Sequence, residues 1–276
     1  MLANLGKRKT VILAGTIVAL NGFFPALWIL FTSLKTETEL LRYPITIFPE
    51  APTLMNYTRV FVDQPILLFM WNSIVVATLS TALCIFVSAL AAYSIVRLRL
   101  PGRNLILSLL LAVSMFPLIS LMVPLFQTMR SLGWLNTYPA LIFPYAVLSM
   151  PVCTLVMASF FQDIPADLEN AAMIDGCSRL GALWHVVVPL AAPGVFTAAI
   201  LAFVNAWDEF LLALTLSSRV ASRTLPVGIT LYQGEFAFPW PIISAALVVA
   251  IVPICILIAI FQERVVSGLT AGGVKG

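Results

Sequence analysis

An apolar run at residues 191–214 contains NAWDEF, which sets Asn205, Asp208 and Glu209 among hydrocarbon side chains. A charged side chain at the centre of a bilayer costs at least about 2.5 kcal/mol, so acids at such depth face a cavity or a partner rather than lipid. There they accept hydrogen bonds from hydroxyls or exchange protons. A second concentration of polar residues is LENAAMIDG, residues 168–176, lying between two long apolar runs. Other reactive sets do not occur. No G-x-x-x-x-G-K-[ST] is present, so the chain does not hold nucleotide phosphates through a P-loop. His185 is the single histidine, with no HExxH and no Ser/His/Asp set around it. The four cysteines, 84, 153, 177 and 255, have no CxxC spacing and read as single thiols rather than a disulfide or a metal site.

The elements that position these residues follow from composition. Of 276 residues 61% are hydrophobic and 10% charged, where soluble domains average about 25% charged. The chain is therefore an integral membrane protein. A span needs about 20 mostly apolar residues. Six runs qualify: 11–33, 69–96, 105–127, 139–161, 191–214 and 240–262. They lack period-2 alternation, so they are helices, which satisfy their own backbone in lipid. The expected class is an all-α polytopic membrane protein, with 1–276 as a single transmembrane domain. The first run continues too far, without an A-x-A end, for a cleaved signal peptide. The basic clusters, Lys7 to Lys9 and Arg97, Arg99 and Arg103, abut spans. They read as topology signals rather than nucleic-acid contacts, and put both termini in the cytoplasm. Residues 35–68, 128–138 and 215–239 then face outward, and LENAAMIDG faces inward.

Prolines recur inside the third, fourth and sixth runs: Pro117, Pro124, Pro144, Pro151 and Pro253. Each removes a helix hydrogen bond and favours a kink. The kinks either shape the helices alone or bend them around a pathway. Asn72 and Gln127, at outer span ends, are candidates for the cavity that Asn205, Asp208 and Glu209 face, and Tyr145 in the fourth run joins that set. The other reading of such polar residues is an anchor at the membrane interface.

The segment FQDIPADLENAAMIDGCSRLGALWHVVVPL, residues 161–190, reads as two short helices joined at an elbow. Asp163 can cap the first and Pro165 suits its start. Gly176 ends it as a left-handed cap residue does. Ser178 can cap the second, and Pro189 stops it. The first helix offers the small Ala171 and Ala172, flanked by Glu169 and Asp175. Such a helix suits a groove on another protein. The other reading is an amphipathic loop lying on the membrane.

This stretch resembles the EAA loop of ABC importer permeases. Ala171 and Ala172 match the alanines, Asp175 and Gly176 the Asp-Gly, and Pro189 the closing proline; Glu169 precedes the motif. Asn170 stands for the motif glutamate and keeps an acceptor oxygen. FPALWILFTSLK, NSIVVATLSTAL, AWDEFLLAL and the end QERVVSGLTAGGVKG are similar to maltose-type permease subunits, in which Asn is frequent at the position of Asp208. The resemblance implies a six-helix type I ABC importer permease fold for a sugar, oligosaccharide or polyol-like solute. It also implies a coupling loop at 162–190 and a tail at 263–276 that reaches an ATPase. A second, non-identical permease, two ATPase subunits and an external solute-binding protein would complete the complex. ATP and Mg would be used by the ATPases and no cofactor by this chain. The location implied is a bacterial or archaeal cytoplasmic (inner) membrane. Two other classes compete. An ion-coupled secondary transporter would carry intramembrane acids without a coupling loop, and an intramembrane enzyme would need a catalytic set that is not found.

Overall fold

The computed structural model describes residues 2–98, 100–234 and 238–273, and leaves aside the side chains of 2–14, 17, 19 and 262–273. Of the tail, 263–276, only the backbone of 263–273 is described, so the docking expectation, which rests on its side chains, lies outside the description. Among the described residues all regular structure is helical. In chain order the helices are α1 (Leu2–Ser33), α2 (Glu37–Leu40), α3 (Met55–Asp63), α4 (Ile66–Arg97), α5 (Arg103–Ser114), α6 (Leu118–Ser131) and α7 (Pro139–Asp163). Then come α8 (Ala166–Ile174), α9 (Arg179–Ala182), a π-helical turn (Leu183–Val187), α10 (Val188–Leu190), α11 (Ala192–Asp208) and α12 (Leu211–Leu216). A 3-10 turn (Val220–Ser222), α13 (Leu225–Thr230) and α14 (Trp240–Gly273) complete the set.

Among the described residues, three helices are long and apolar enough to cross a membrane: Ile66–Arg97, Pro139–Asp163 and Trp240–Phe261. Up to five spans result if each of two bent pairs crosses as one. The second, fourth and sixth expected runs thus emerge as continuous helices. The third and fifth do not. Residues 105–127 divide into α5 and α6, which meet at 88°. Pro117 lacks an N–H and disfavours helical backbone at Phe116, and here the expected kink is a break. The segment Arg179–Leu190 meets α11 at 84°. The run at 191–214 breaks again between Asp208 and Leu211.

The chain forms two compact units, Met1–Leu67 with Gly228–Pro253, and Leu68–Val227 with Ile254–Gly276. In the first, the connection after α1 is tied down by polar groups. Lys35 is buried, lies 5.4 Å from the centre of the Trp28 ring and donates to the Thr46 carbonyl. Asn56 donates to the carbonyls of Ser33 and Lys35 at 2.8 and 2.9 Å. Ordering of this kind satisfies backbone groups that a loop cannot leave buried and unpaired.

The second unit carries the residues of interest. Its core is built where α4, α7 and α11 pack, around Cys84, Ala92, Ala146, Met157, Phe161, Ala198 and Ala202. Small residues let these helices approach closely, as in membrane bundles. Gly194 takes this furthest, because a Cβ there would lie 2.3 Å from Cγ of Phe160. Gly194→Ala is expected to cost about 1–3 kcal/mol through forced repacking. A lowered thermal midpoint of the purified complex checks this, and an unchanged midpoint would contradict it.

Candidate functional site

The helix break in NAWDEF is made by the glutamate. Glu209 has extended backbone (φ −68°, ψ 125°), and its carboxylate accepts from the N–H groups of Leu212 and Ala213 at 2.9 and 3.1 Å. These are among the donors that the first turn of α12 leaves free, and a helix N-terminus favours an anion. Its Oε2 also accepts the Tyr145 hydroxyl at 2.6 Å, and Tyr145 is buried on α7. Tyr145, Ser149, Asn205, Ala206, Glu209, Leu118 and Leu148 line a cavity of about 210 Å³. A complete small-molecule site runs to about 300–1,000 Å³, so this has the size of part of one. It presents an amide, two hydroxyls and a carboxylate, with no cation in the lining. Such a set has the donors and acceptors that could hydrogen-bond hydroxyl groups.

Of the pathway candidates, the structure brings together Tyr145, Asn205 and Glu209. Asp208 ends α11 and is exposed, outside that lining. An anion at a helix C-terminus is disfavoured by the backbone dipole. Gln127 is exposed on α6 and also lies outside the lining. Asn72 does not face a cavity. It is fully buried, donates to the carbonyls of Ala221 and Arg223 at 3.0 and 2.8 Å, and accepts the Tyr138 hydroxyl at 2.7 Å. Ser73 beside it accepts from the Leu225 amide at 2.8 Å. Together they clasp the segment after α12. Sequence reasoning missed Ser149, although it stands four residues after Tyr145 and hence on the same helix face.

The second candidate is the α8–α9 hairpin. Gly176 has φ +95°. The amides of Asp175, Gly176 and Cys177 turn back to the carbonyls of Ala171, Met173 and Ala172 at 3.0, 3.2 and 3.0 Å. The elbow read from the sequence is thus formed as a left-handed helix cap. Ser178 caps α9 through the Gly181 amide at 3.1 Å, as expected. Asp163 is the last residue of α7, and Pro165 takes the cap position of α8 without a side-chain bond of its own. Asn170, Ala171, Asp175, Gly176 and Pro189 are exposed and Ala172 half-buried. Around them Leu168, Ile174 and Leu180 stand 46%, 86% and 57% exposed. Glu169, expected at the edge of this surface, is instead buried. Its Oε1 accepts the Tyr93 hydroxyl, and its Oε2 lies 3.2 Å from Arg97 Nε.

Comparisons with known proteins place the whole chain rather than these two features. Residues 84–270 match the family described as binding-protein-dependent transport system inner membrane component. The chain is 70% identical to the sulfoquinovosyl glycerol transport system permease protein SmoH of Agrobacterium fabrum, over 96% of this chain and 93% of that one. It is 41% identical to the trehalose/maltose transport system permease protein MalG of Thermococcus litoralis, over 98% of each. In fold it is similar to a chain of a bacterial ABC transporter involved in the import of the acidic polysaccharide alginate. The TM-score is 0.78 at 22% identity, over 94% of this chain and 95% of that one. The chain belongs to the family of inner membrane components of binding-protein-dependent transport systems, as the permease subunit of a sugar ABC transporter.

Proposed function

We propose that this chain forms half of the translocation pathway of an ATP-driven importer. It crosses the cytoplasmic membrane six times with both termini inside, and couples to a separate ATPase through the EAA loop at 162–190. A second, non-identical permease, two ATPase subunits and an external solute-binding protein complete the assembly, with the tail at 263–276 reaching the ATPases. ATP and Mg are used there and not by this chain. Closure of the ATPase pair carries the coupling helices inward and turns the bundles to open outward; hydrolysis resets them.

The observation that carries this reading is the hairpin. Its elbow is fixed internally, yet Leu168, Ile174 and Leu180 are left uncovered by the rest of the chain. An exposed apolar patch on a rigid element is the mark of a docking surface. The pathway half of the reading rests on the pocket of Tyr145, Ser149, Asn205 and Glu209. A lining of acceptors and hydroxyls without a cation suits the polyol face of a glycosyl glycerol. The sulfonate of a sulfoquinovosyl solute would be matched elsewhere in the complex.

The test is ATPase activity of the reconstituted complex with its binding protein across a panel of sugars that includes sulfoquinovosyl glycerol. Stimulation by one glycoside class supports the reading, and a chain that transports without any bound ATPase overturns it in favour of ion-coupled transport. Within the same assay, Asp208→Asn is expected to leave assembly intact and to alter uptake affinity or the basal hydrolysis rate. If neither changes, the acid is an interface anchor only.

A further inference from the structure

The helix α8 joins the rest of its unit in an unusual way. Its one buried residue is an acid, Glu169, 4% exposed. The other arm of the hairpin is held by apolar contacts. Ala182, Leu183 and Val187 are buried, and Trp184 stacks on Phe86 of α4 at 5.6 Å between ring centres. By contrast, both carboxylate oxygens of Glu169 are taken by α4. Tyr93 and Arg97 lie one helical turn apart, so they share a face. The Tyr93 hydroxyl donates to one oxygen, and the Arg97 guanidinium pairs with the other at 3.2 Å. Arg97 Nη2 also donates to the Ile164 carbonyl at 2.7 Å, at the joint between α7 and α8. One guanidinium therefore holds both the start of the hairpin and its first helix.

We propose that Tyr93, Arg97 and Glu169 form a tie that carries displacement of α8 into α4. The inference rests on α8 being the coupling helix. A smooth apolar contact resists separation but permits sliding. A carboxylate that accepts a phenol hydroxyl at one oxygen and faces a guanidinium across an ion pair at the other is aimed by the hydrogen bond and held against separation by the charges, so it transmits a pull as well as a push. Burial strengthens it, because the charges are not screened by solvent. Glu169 is thus a positioning residue facing inward, while Asn170, Ala171 and Asp175 face outward.

The experiment uses the full complex, with its ATPases, partner permease and binding protein, in proteoliposomes. Glu169→Gln and Tyr93→Phe are compared with Ile174→Glu on the exposed side. The quantity read is solute transported per ATP hydrolysed, normalised to assembled complex. For Glu169→Gln the ratio is expected to fall about tenfold, the equivalent of one charge-assisted hydrogen bond, with ATPase still bound. A general loss of stability would lower complex yield without changing that ratio. Tyr93→Phe removes one oxygen and keeps the ring, so it carries the test if Glu169→Gln does not accumulate. A wild-type ratio in these variants overturns the tie. Ile174→Glu is expected to release the ATPase; retention of the ATPase there overturns the coupling-helix reading instead.

Discussion

Gly176→Pro is expected to abolish solute uptake while the chain still accumulates in the membrane. The elbow needs two things that proline cannot supply. At φ +95° the backbone lies in the left-handed region, whereas proline is locked near about −65°. The Gly176 amide also donates to the Met173 carbonyl at 3.2 Å, and proline has no N–H. The α8–α9 junction must therefore reopen, which displaces Ile174 and Leu180 and disrupts the face proposed to dock the ATPase. Gly176→Ala separates the causes. No atom lies within 4 Å of the Cβ it would add, so alanine meets only the left-handed strain of about 1–2 kcal/mol. A partial loss with alanine and a complete loss with proline, at equal membrane levels, is the expected pair. The measurements are uptake by whole cells and retention of the ATPase on purification. Normal uptake with proline would mean that the elbow geometry is dispensable.

That the elbow could be read from sequence while other features could not has a physical cause. Gly176 is flanked by local signals: a helical alanine pair before it and a capping serine after it. Each determinant lies within a few residues, and the structure realises both. The continuous spans at α4 and α7 were legible for the same reason, since length and hydropathy are local. The misread residues depend on distant partners. Asn72 has the type and depth of a pathway residue, yet its amide is used on carbonyls 149 and 151 residues later. Glu169 looks like a surface acid until Tyr93 and Arg97 are brought to it by the packing of α4. Glu209 misleads in another way. Glutamate is a good helix former, so nothing local marks the break that its side chain imposes by capping α12. Pro117 was legible as a perturbation but not in degree, because whether a proline bends or breaks a helix depends on what the freed groups can find.

The second large effect follows from that cap. Glu209→Ala removes the acceptor for three donors at once: the amides of Leu212 and Ala213 and the Tyr145 hydroxyl. Loss of a cap costs about 0.5–2 kcal/mol, and a buried hydroxyl left without a partner adds about 1–3 kcal/mol. The expected total is near 3 kcal/mol, enough to lower the thermal midpoint clearly and to eliminate uptake. Glu209→Gln keeps one acceptor oxygen and the shape of the side chain. It is expected to fold, with a smaller loss of stability and reduced uptake, because the charge that favours the N-terminus of α12 is gone. Tyr145→Phe deletes a single donor and leaves the cap intact, so its effect should be the smallest. The double variant Glu209→Ala with Tyr145→Phe then distinguishes the two roles. If the stranded hydroxyl contributes to the cost, the double variant is less destabilised than the sum of the singles. Strict additivity would assign the whole cost to the cap, and a Glu209→Ala protein with wild-type midpoint and uptake would remove Glu209 from both the fold and the pathway.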